Sequence, residues 1–264
     1  MKSAHTALIV NATSGVCTIT LNRPDVFNAL NEAMLRELLE SLKEAERDPS
    51  VRCLVIRGAG EKAFCSGQDL KERAAQENPP PFRVLLSKLY HPVIRLMRSI
   101  EKPIIGMING VAAGAGLSLA LACDLRYMSD TARLIQVFVR LGLVPDSGAN
   151  WFLPRLVGLG KAFEHAALGQ DILPEEAERV GLVNKVLPAS ELEAAVSELA
   201  NRIARGPTRA IGLIKRTMNK ALVSDLETTL EYEAYIQEIV SRSEDHREGV
   251  QAFLEKRSAQ FHGL

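Results

Sequence analysis

Residues 103–129 read PIIGMINGVAAGAGLSLALACDLRYMS, and this stretch decides the fold. It begins with a short apolar run that is typical of a buried strand. Small residues follow, and an apolar helix pattern then starts at once, at residues 117–122. A second strand pattern, VRCLVIR at residues 51–57, also leads into a glycine-rich segment, AFCSGQD at residues 63–69. Strand and helix patterns that alternate in this way predict βαβ units and a parallel sheet, so the predicted fold class is α/β.

Regular patterns continue on the N-terminal side of this stretch. Apolar residues alternate clearly in residues 16–21 and loosely in residues 6–10, so we predict a hairpin with its turn at residues 11–15. Apolar residues at helical spacing predict a helix over residues 30–45, with Asn31 as its cap.

Residues 85–100 are helical by pattern, although Pro92 must start, kink or split that helix. The C-terminal part of the chain has a different character. From residue 191 onward only helical patterns occur, and short Gly-Pro, Ser-Asp and Ser-Glu breaks separate them. We therefore predict a core domain of residues 1–195 and a helical region of residues 196–264.

Composition excludes some classes of partner. The chain has 264 residues, of which 47% are hydrophobic, enough for one large domain or for a domain with an appendage. It has 32 basic and 32 acidic residues, so its formal net charge is zero and gives no reason to expect nucleic acid or an anionic membrane as partner. No apolar run reaches the roughly eighteen residues of a membrane span, and no leader pattern occurs. We expect a cytoplasmic enzyme.

The four cysteines are Cys17, Cys53, Cys65 and Cys123. Each lies in an apolar or glycine-rich segment, and they lack C-x-x-C or Cys/His ligand spacing. We expect buried free thiols and no metal site.

The two glycine-rich segments are candidates for a ligand site. Small residues let a ligand approach the backbone closely, and the helix that begins at the second segment has free N–H groups at its positive end. Two N–H donors that converge from separate loops would form an oxyanion hole. Taken alone, each loop is weak evidence, because glycines between a strand and a helix more often serve close packing.

Taken together, the ordered motifs resemble one known family. AFCSGQDL, KPIIGMINGVAAGAGLSLALACDLRYMSD and VRLGLVPDSGANWFLPRLVG are similar to the enoyl-CoA hydratase/isomerase (crotonase) family, and the resemblance runs from LNRPDVFNAL at residues 21–30 to FLEKRSAQF at residues 253–261. It implies a spiral of β-β-α repeats with a helical C-terminal trimerisation region. It also implies homotrimers or hexamers and an acyl-CoA thioester substrate, with no separate cofactor because CoA is part of that substrate.

Site residues follow from the same resemblance. It implies that the backbone N–H groups of Cys65 and Ala115 form the oxyanion hole. Lys256 and Phe253 would reach a CoA bound to the neighbouring subunit, although Lys256 could equally be a solvated helix charge. The implied substrate-binding residues are Ala63, Ser66, Gly67, Gln68, Asp69, Leu70, Gly114, Phe138, Phe253 and Lys256.

The acids distinguish the possible reactions. Hydratases of the family carry two glutamates, at the positions of Ser118 and Phe138 here, so both carboxylates are missing. Asp146, in LGLVPD, stands where several isomerases carry their working aspartate. The alternative for Asp146 is the N-cap of the next helix. An apolar pocket with Phe138 and Trp151 would raise the pKa of Asp146 by desolvation.

Four functions therefore remain open at this point. The pattern around Phe138 and Asp146 most resembles bacterial ring 1,2-epoxyphenylacetyl-CoA isomerases, although Ser-Gly-Ala-Asn follows Asp146 where Gly-Gly-Thr is commoner. We favour a double-bond isomerase in which Asp146 shuttles a proton. The alternatives are an enoyl-CoA hydratase, an aryl-CoA dehalogenase with Asp146 as nucleophile and His91 as base, and a non-catalytic CoA-binding trimer.

Overall fold

Three strands of a larger sheet are each followed by a strand of a smaller sheet. The computed structural model describes residues 7–263. Its strands are β1 (Leu8–Thr13), β2 (Val16–Leu21), β3 (Cys53–Gly58), β4 (Ala63–Cys65), β5 (Ile104–Ile108), β6 (Val111–Ala113), β7 (Leu125–Ser129), β8 (Leu134–Ile135), β9 (Asp171–Ile172) and β10 (Lys185–Leu187).

Eleven α-helices surround these strands in the described part of the chain. They are α1 (Glu32–Arg47), α2 (Leu70–Ala74), α3 (Phe82–Leu85), α4 (His91–Ser99), α5 (Ala115–Ala122), α6 (Ala149–Leu168), α7 (Pro174–Arg179), α8 (Ala189–Ala204), α9 (Thr208–Ala221), α10 (Leu226–Ser241) and α11 (Glu244–Glu255). A π-helical turn, Leu86–Tyr90, joins α3 to α4, and 3-10 turns occupy Pro24–Val26 and Val137–Leu141.

The sheet topology confirms the predicted spiral. The larger sheet has the order β1-β2-β3-β5-β7-β10, and the smaller sheet has the order β4-β6-β8-β9. All neighbours in the larger sheet are parallel except β1 and β2, which form the predicted antiparallel hairpin. The chain therefore passes from β3 to β4, from β5 to β6 and from β7 to β8, and each pair leads into helical structure. This is the β-β-α repeat of an α/β fold.

Several element boundaries differ from the predictions. The hairpin turn is only Ser14-Gly15, because both residues adopt positive φ (53° and 82°) and a two-residue turn lets β1 continue to Thr13. The predicted start of that strand at residue 6 lies outside the described residues. Of the three effects predicted for Pro92, the structure shows the first: α4 starts at His91, and Pro92 lies in its first turn, where a missing N–H costs little.

The core has two parts, one on each face of the larger sheet. On one face the fully buried residues include Leu38, Ile56, Met97 and Ile104, which belong to α1, α4 and the sheet. On the other face α8 packs its apolar side, with Val196, against the sheet. The predicted domain boundary at residues 195/196 falls inside α8, and the division itself stays a prediction. In residues 7–263, no helix is both long and apolar enough to cross a membrane.

A buried ionic cluster fixes α9 to the core. Asp124 accepts hydrogen bonds from Arg98 at 2.8 Å and from the Ile104 N–H at 2.9 Å, and it forms a salt bridge with Lys215 at 2.8 Å. Burial lowers the pKa of Lys215, and the Asp124 charge opposes that shift. A few residues away, Gly212 touches the main chain of Glu101, so closely that a Cβ at residue 212 would lie 2.1 Å from the Glu101 carbonyl oxygen. The main chain of α9 therefore packs directly against the main chain of the segment that precedes β5.

We expect Gly212→Ala to destabilise the protein by about 1–3 kcal/mol, because a methyl group has no room against main-chain atoms. Chemical denaturation at one fixed protein concentration measures the effect. Gly160→Ala is the matched control, because nothing lies within 4 Å of a Cβ built at that exposed position in α6. It should leave the stability unchanged or raise it. Equal effects of the two substitutions would contradict the packing argument.

Candidate active site

The two glycine-rich segments meet behind one cavity. The parallel strands β4 and β6 pair Cys65 with Ala112, and β6 leads through Gly114 into α5. Gly116 lies so close to β4 that a Cβ there would be 2.1 Å from the Cys65 carbonyl oxygen. Close packing of the loops is thus confirmed: Cys65 lies against the first turn of α5, which begins at Ala115. Ala115 lines the cavity described below and Cys65 does not, and the donor role of their N–H groups stays a prediction.

The first turn of α5 faces this junction without a side-chain cap. Gly114 precedes α5 with φ 53° and ψ −126°, and no side chain accepts a hydrogen bond from the first turn. Gly67, at φ 95°, lies against the same turn: a Cβ there would be 2.8 Å from the Ala113 carbonyl oxygen and 3.4 Å from the Ala115 nitrogen. Uncapped N–H groups at a helix N-terminus favour an anionic ligand group.

A small cavity of about 60 Å³ opens at this helix end. Its walls combine the β4–α2 loop, the start of α5, the helical segment 82–90 and the loop that carries Asp146. The lining residues are Ser66, Gly67, Gln68, Leu70, Phe82, Leu85, Leu86, Tyr90, Gly114, Ala115, Val137, Phe138, Leu141, Leu143 and Asp146. We call it the acyl cavity. Within residues 7–263, Asp146 is the one acidic residue in its lining.

Asp146 is half-buried and its carboxylate has one hydrogen-bond donor in the described structure. The Ser147 hydroxyl donates to Oδ1 at 2.9 Å. Burial raises the pKa of Asp146, whereas the Ser147 hydrogen bond and the charge of His91 lower it. The alternative that Asp146 caps α6 is wrong: the N-cap is Gly148, and no side chain makes a cap hydrogen bond. Ser147 (φ 51°) and Gly148 (φ 88°) are both left-handed, so Asp146 is separated from the helix start.

Ser118 ties Asp146 to the start of α5. Its hydroxyl is fully buried and donates to the main-chain carbonyl of Asp146 at 2.9 Å, with Gly114 O as a second acceptor at 3.3 Å. The residue that stands where hydratases carry a glutamate is therefore a structural link. At the other such position, Phe138 is buried and lines the acyl cavity as predicted.

Three predicted site residues have structural roles or lie away from the cavity. Ala63 is buried in β4, where its carbonyl accepts a hydrogen bond from Asn28 at 2.8 Å. Asp69 caps α2 and pairs with Arg23 at 2.9 Å, which agrees with a local structural role. Trp151 was expected in the pocket around Asp146, but it does not line the acyl cavity. Its ring stands edge-on to Phe152 and lines a separate cavity together with residues of α9.

Phe253 and Lys256 lie on the outside of the described chain. Phe253 is 83% exposed on α11, and Lys256 follows the end of that helix in a left-handed conformation. Neither lines the acyl cavity of its own chain. The predicted role of both residues involves a neighbouring subunit, so it stays a prediction.

The Cys65 side chain is not a nucleophile. Its thiol is fully buried, and burial raises its pKa to about 12. A thiol with such a pKa stays protonated at neutral pH and reacts poorly. All four cysteines are free and buried, as predicted.

Sequence reasoning missed the wall that the helical segment 82–90 contributes. Phe82, Leu85 and Leu86 line the acyl cavity together with Tyr90. The apolar spacing of these residues is a helical signal, but it does not say which cavity the helix faces. His91 follows at once, yet it does not line the cavity, although its charge reaches Asp146.

The comparisons with known proteins decide the family. The family model for enoyl-CoA hydratase/isomerase matches residues 11–263. The chain belongs to the enoyl-CoA hydratase/isomerase family. It is 40% identical to the 1,2-epoxyphenylacetyl-CoA isomerase of Escherichia coli K12 over 97% of this chain and 98% of that relative. It is 36% identical to the short-chain-enoyl-CoA hydratase of Clostridium acetobutylicum over 95% of each.

The solved structures agree with this assignment. An enoyl-CoA hydratase from Bacillus anthracis superposes with a TM-score of 0.94 at 37% identity, covering 98% of this chain and all of the other. The chain is therefore an enzyme of the enoyl-CoA hydratase/isomerase family, and an acyl-CoA thioester is the substrate class consistent with that family.

The burial of Asp146 predicts a pH-dependent effect on the stability of the fold. The pKa of Asp146 is higher in the folded than in the unfolded protein, so the ionised carboxylate lowers the free energy of unfolding. This destabilisation is absent below the unfolded-state pKa and reaches a constant value above the folded-state pKa. Asp146→Asn keeps an acceptor for Ser147 and should melt at a higher temperature than wild type at pH 7. The gap should close as the pH falls below the ordinary aspartate value of 3.8. Melting curves across pH measure this, and a variant that is less stable at pH 7 would contradict it.

Proposed function

We propose that this enzyme is an acyl-CoA double-bond isomerase in which Asp146 moves the proton. The observation that carries the proposal is the lining of the acyl cavity: Asp146 is its one acid in the described chain. Ser118 and Phe138 fill the two positions where hydratases of the family carry glutamates. A single carboxylate suits proton transfer between two carbons better than the placement and activation of a water molecule.

The first half of the proposed reaction forms an enolate. The thioester carbonyl oxygen would accept hydrogen bonds from the Cys65 and Ala115 N–H groups. The Asp146 carboxylate would then take a proton from a carbon of the acyl chain, and the electron pair of that C–H bond would pass to the carbonyl oxygen. Donors fixed for the developing charge stabilise the transition state more than the ground state.

The second half returns the same proton. Protonated Asp146 would deliver it two carbons away, which moves the double bond and restores the carboxylate. The reaction consumes nothing else, and CoA stays part of the substrate throughout, so we propose no separate cofactor. Burial supports this cycle because it raises the pKa of Asp146 and makes it a better base than an exposed aspartate.

The apolar walls suit an acyl group of limited size. Phe82, Leu86, Phe138 and Leu141 are among the side chains that face the cavity, and its volume in the unliganded chain is about 60 Å³. A ring acyl group would need the cavity to widen, for which the exposed Leu141 and Phe82 are suitable because they are not held in the core. A ring-epoxide phenylacetyl-CoA is the substrate we favour, and a short 3-enoyl-CoA is the simpler test substrate.

Two other reactions, hydration and dehalogenation, would use the same cavity and the same acid. A hydratase would have to activate water with Asp146 alone, and relatives with hydratase names are of similar identity. A dehalogenase would use Asp146 as nucleophile with His91 as base, but His91 lies outside the cavity lining. Chloride release from chlorobenzoyl-CoA would favour the dehalogenase, and thioester binding without turnover would favour a non-catalytic protein.

We expect the wild type to convert 3-hexenoyl-CoA to the 2-enoyl isomer much faster than it hydrates crotonyl-CoA.

Asp146→Asn removes the base but keeps the shape, and loss of a general base typically costs about 10²–10⁴-fold in rate. Absorbance of the conjugated thioester follows the reaction, and calorimetry checks that the variant still binds CoA. Asp130→Asn is the matched control, because this exposed carboxylate accepts a hydrogen bond from the Ala189 N–H far from the cavity. Normal isomerisation by Asp146→Asn, or faster hydration by the wild type, would contradict the proposal.

Assembly is a separate part of the proposal. The last three helices expose an unusual number of large apolar side chains for a free surface. They include Met218 on α9, and beyond it Leu226, Leu230, Tyr235, Phe253 and Leu254. We propose that these helices associate with other copies of the chain.

The expected assembly is a homotrimer or a hexamer built from two trimers, as the family resemblance implies, and burial of these apolar side chains would stabilise it. Sedimentation velocity at micromolar concentration measures it. Replacing Met218 and Leu226 together by serine should shift the distribution toward smaller species. A wild-type protein that sediments as a monomer would contradict the proposal without affecting the role of Asp146.

A further inference from the structure

Tyr90 is the buried residue in the lining of the acyl cavity that carries a hydroxyl group. It is only 5% exposed, and it lies on the helical segment that supplies Phe82, Leu85 and Leu86. The other hydroxyl in the lining, that of Ser66, belongs to the loop after Cys65 and donates to the Val26 carbonyl at 3.4 Å. Tyr90 is therefore the polar group that the apolar wall presents to an acyl chain.

The Tyr90 hydroxyl has no hydrogen-bond partner within residues 7–263, yet it is not among the polar atoms sealed from solvent. Buried tyrosine hydroxyls usually find a partner. Asp146 does not supply one, because its carboxylate accepts only from Ser147. Tyr90 lines the acyl cavity, so its unpaired hydroxyl is available to a molecule bound there.

The local backbone supports a functional position for this residue. Tyr90 ends the π-helical turn Leu86–Tyr90, which interrupts an otherwise α-helical run. Such turns cost stability relative to an α-helix and often occur at functional sites. Tyr90 also lies between two cavities: with Gln68 and Leu85, it lines both the acyl cavity and a polar cavity that contains Asp69 and Arg73.

The charges around Tyr90 make its hydroxyl a donor. Burial raises its pKa, and the negative charge of Asp146 adds to that shift, whereas Arg73 opposes it. The hydroxyl is therefore neutral near pH 7 and can donate a hydrogen bond.

We propose that Tyr90 is a specificity-determining residue that donates a hydrogen bond to an oxygen atom carried by the acyl group. The cavity would then select acyl groups that carry an oxygen atom over plain hydrocarbon ones. This inference rests on the proposed function, since it takes the acyl cavity as the place where the acyl group binds. A site built to bond an oxygen leaves its donor unpaired when the ligand lacks one, and that difference discriminates between the ligands.

The test compares two stable ligands and two proteins by calorimetry. The ligands are phenylacetyl-CoA and 2-hydroxyphenylacetyl-CoA, and the proteins are the wild type and Tyr90→Phe. We expect the wild type to bind the hydroxylated ligand more tightly than phenylacetyl-CoA. In Tyr90→Phe the ratio of the two affinities should fall about tenfold, which corresponds to the free energy of one good neutral hydrogen bond. The affinity for phenylacetyl-CoA should change less than twofold. The hydroxyl of the ligand can also donate to Asp146, so the change in preference between the proteins is the relevant quantity.

Each other outcome overturns the inference in a distinct way. An unchanged preference in Tyr90→Phe means that the hydroxyl does not contact the ligand oxygen. An equal loss for both ligands means that Tyr90 acts through packing. Tyr127→Phe is the matched control: this half-buried tyrosine packs in the second core cluster, and its change should affect neither ligand. If the wild type binds neither ligand, the proposed acyl-CoA function fails together with this inference, whereas normal binding with no effect of Tyr90→Phe leaves the proposed function intact.

Discussion

The contact between Gly116 and the Cys65 carbonyl sets the geometry of the site. No side chain fits there, since even a Cβ would be 2.1 Å from the carbonyl oxygen. The contact presses the end of β4 against the first turn of α5, and the parallel pairing of β4 with β6 holds the two in register. The cavity exists because two backbone segments meet at this point and their glycines leave room beside them.

The acid is joined to this junction by main-chain contacts rather than by its own side chain. Ser118 reaches out of α5 to the Asp146 carbonyl, and that bond fixes the position of the loop. The carboxylate itself has only Ser147 as a partner, so it remains available to a ligand. The surrounding side chains are mostly apolar, and burial raises the pKa of Asp146. A backbone held in place and a carboxylate with a single hydrogen-bond partner suit the proton uptake and release that we propose for Asp146.

Sequence patterns predicted the parts of the fold in which periodicity and burial agree. The alternation in β2, the leucine spacing of α1 and the four C-terminal helices all occur close to where the patterns indicated. The short hairpin turn was misjudged because Asn11 and Thr13, which usually mark turns, pair within β1 here. Edge strands tolerate such polar residues, so composition alone could not locate the turn.

The site could be predicted where it consists of contiguous motifs and could not where distant segments meet. Cys65, Gly114 and Ala115 come from motifs that directly follow strands, and the structure brings them together. Tyr90 comes from a helix whose facing direction depends on a π-helical turn, which has no sequence signal of its own. Trp151 was misplaced because the left-handed residues Ser147 and Gly148 turn α6 away from Asp146. Two consecutive residues in left-handed conformations therefore separate Asp146 from the start of α6.

The buried cysteines have a practical consequence for work on this enzyme. Burial raises the pKa of Cys17 to about 11 and those of Cys53, Cys65 and Cys123 to about 12. The thiolate is the form that reacts with maleimides, so these four side chains should not react with them in the folded protein. A fluorophore or spin label could therefore be attached at one introduced surface cysteine, and the native thiols could stay in place during spectroscopic measurements of loop movement.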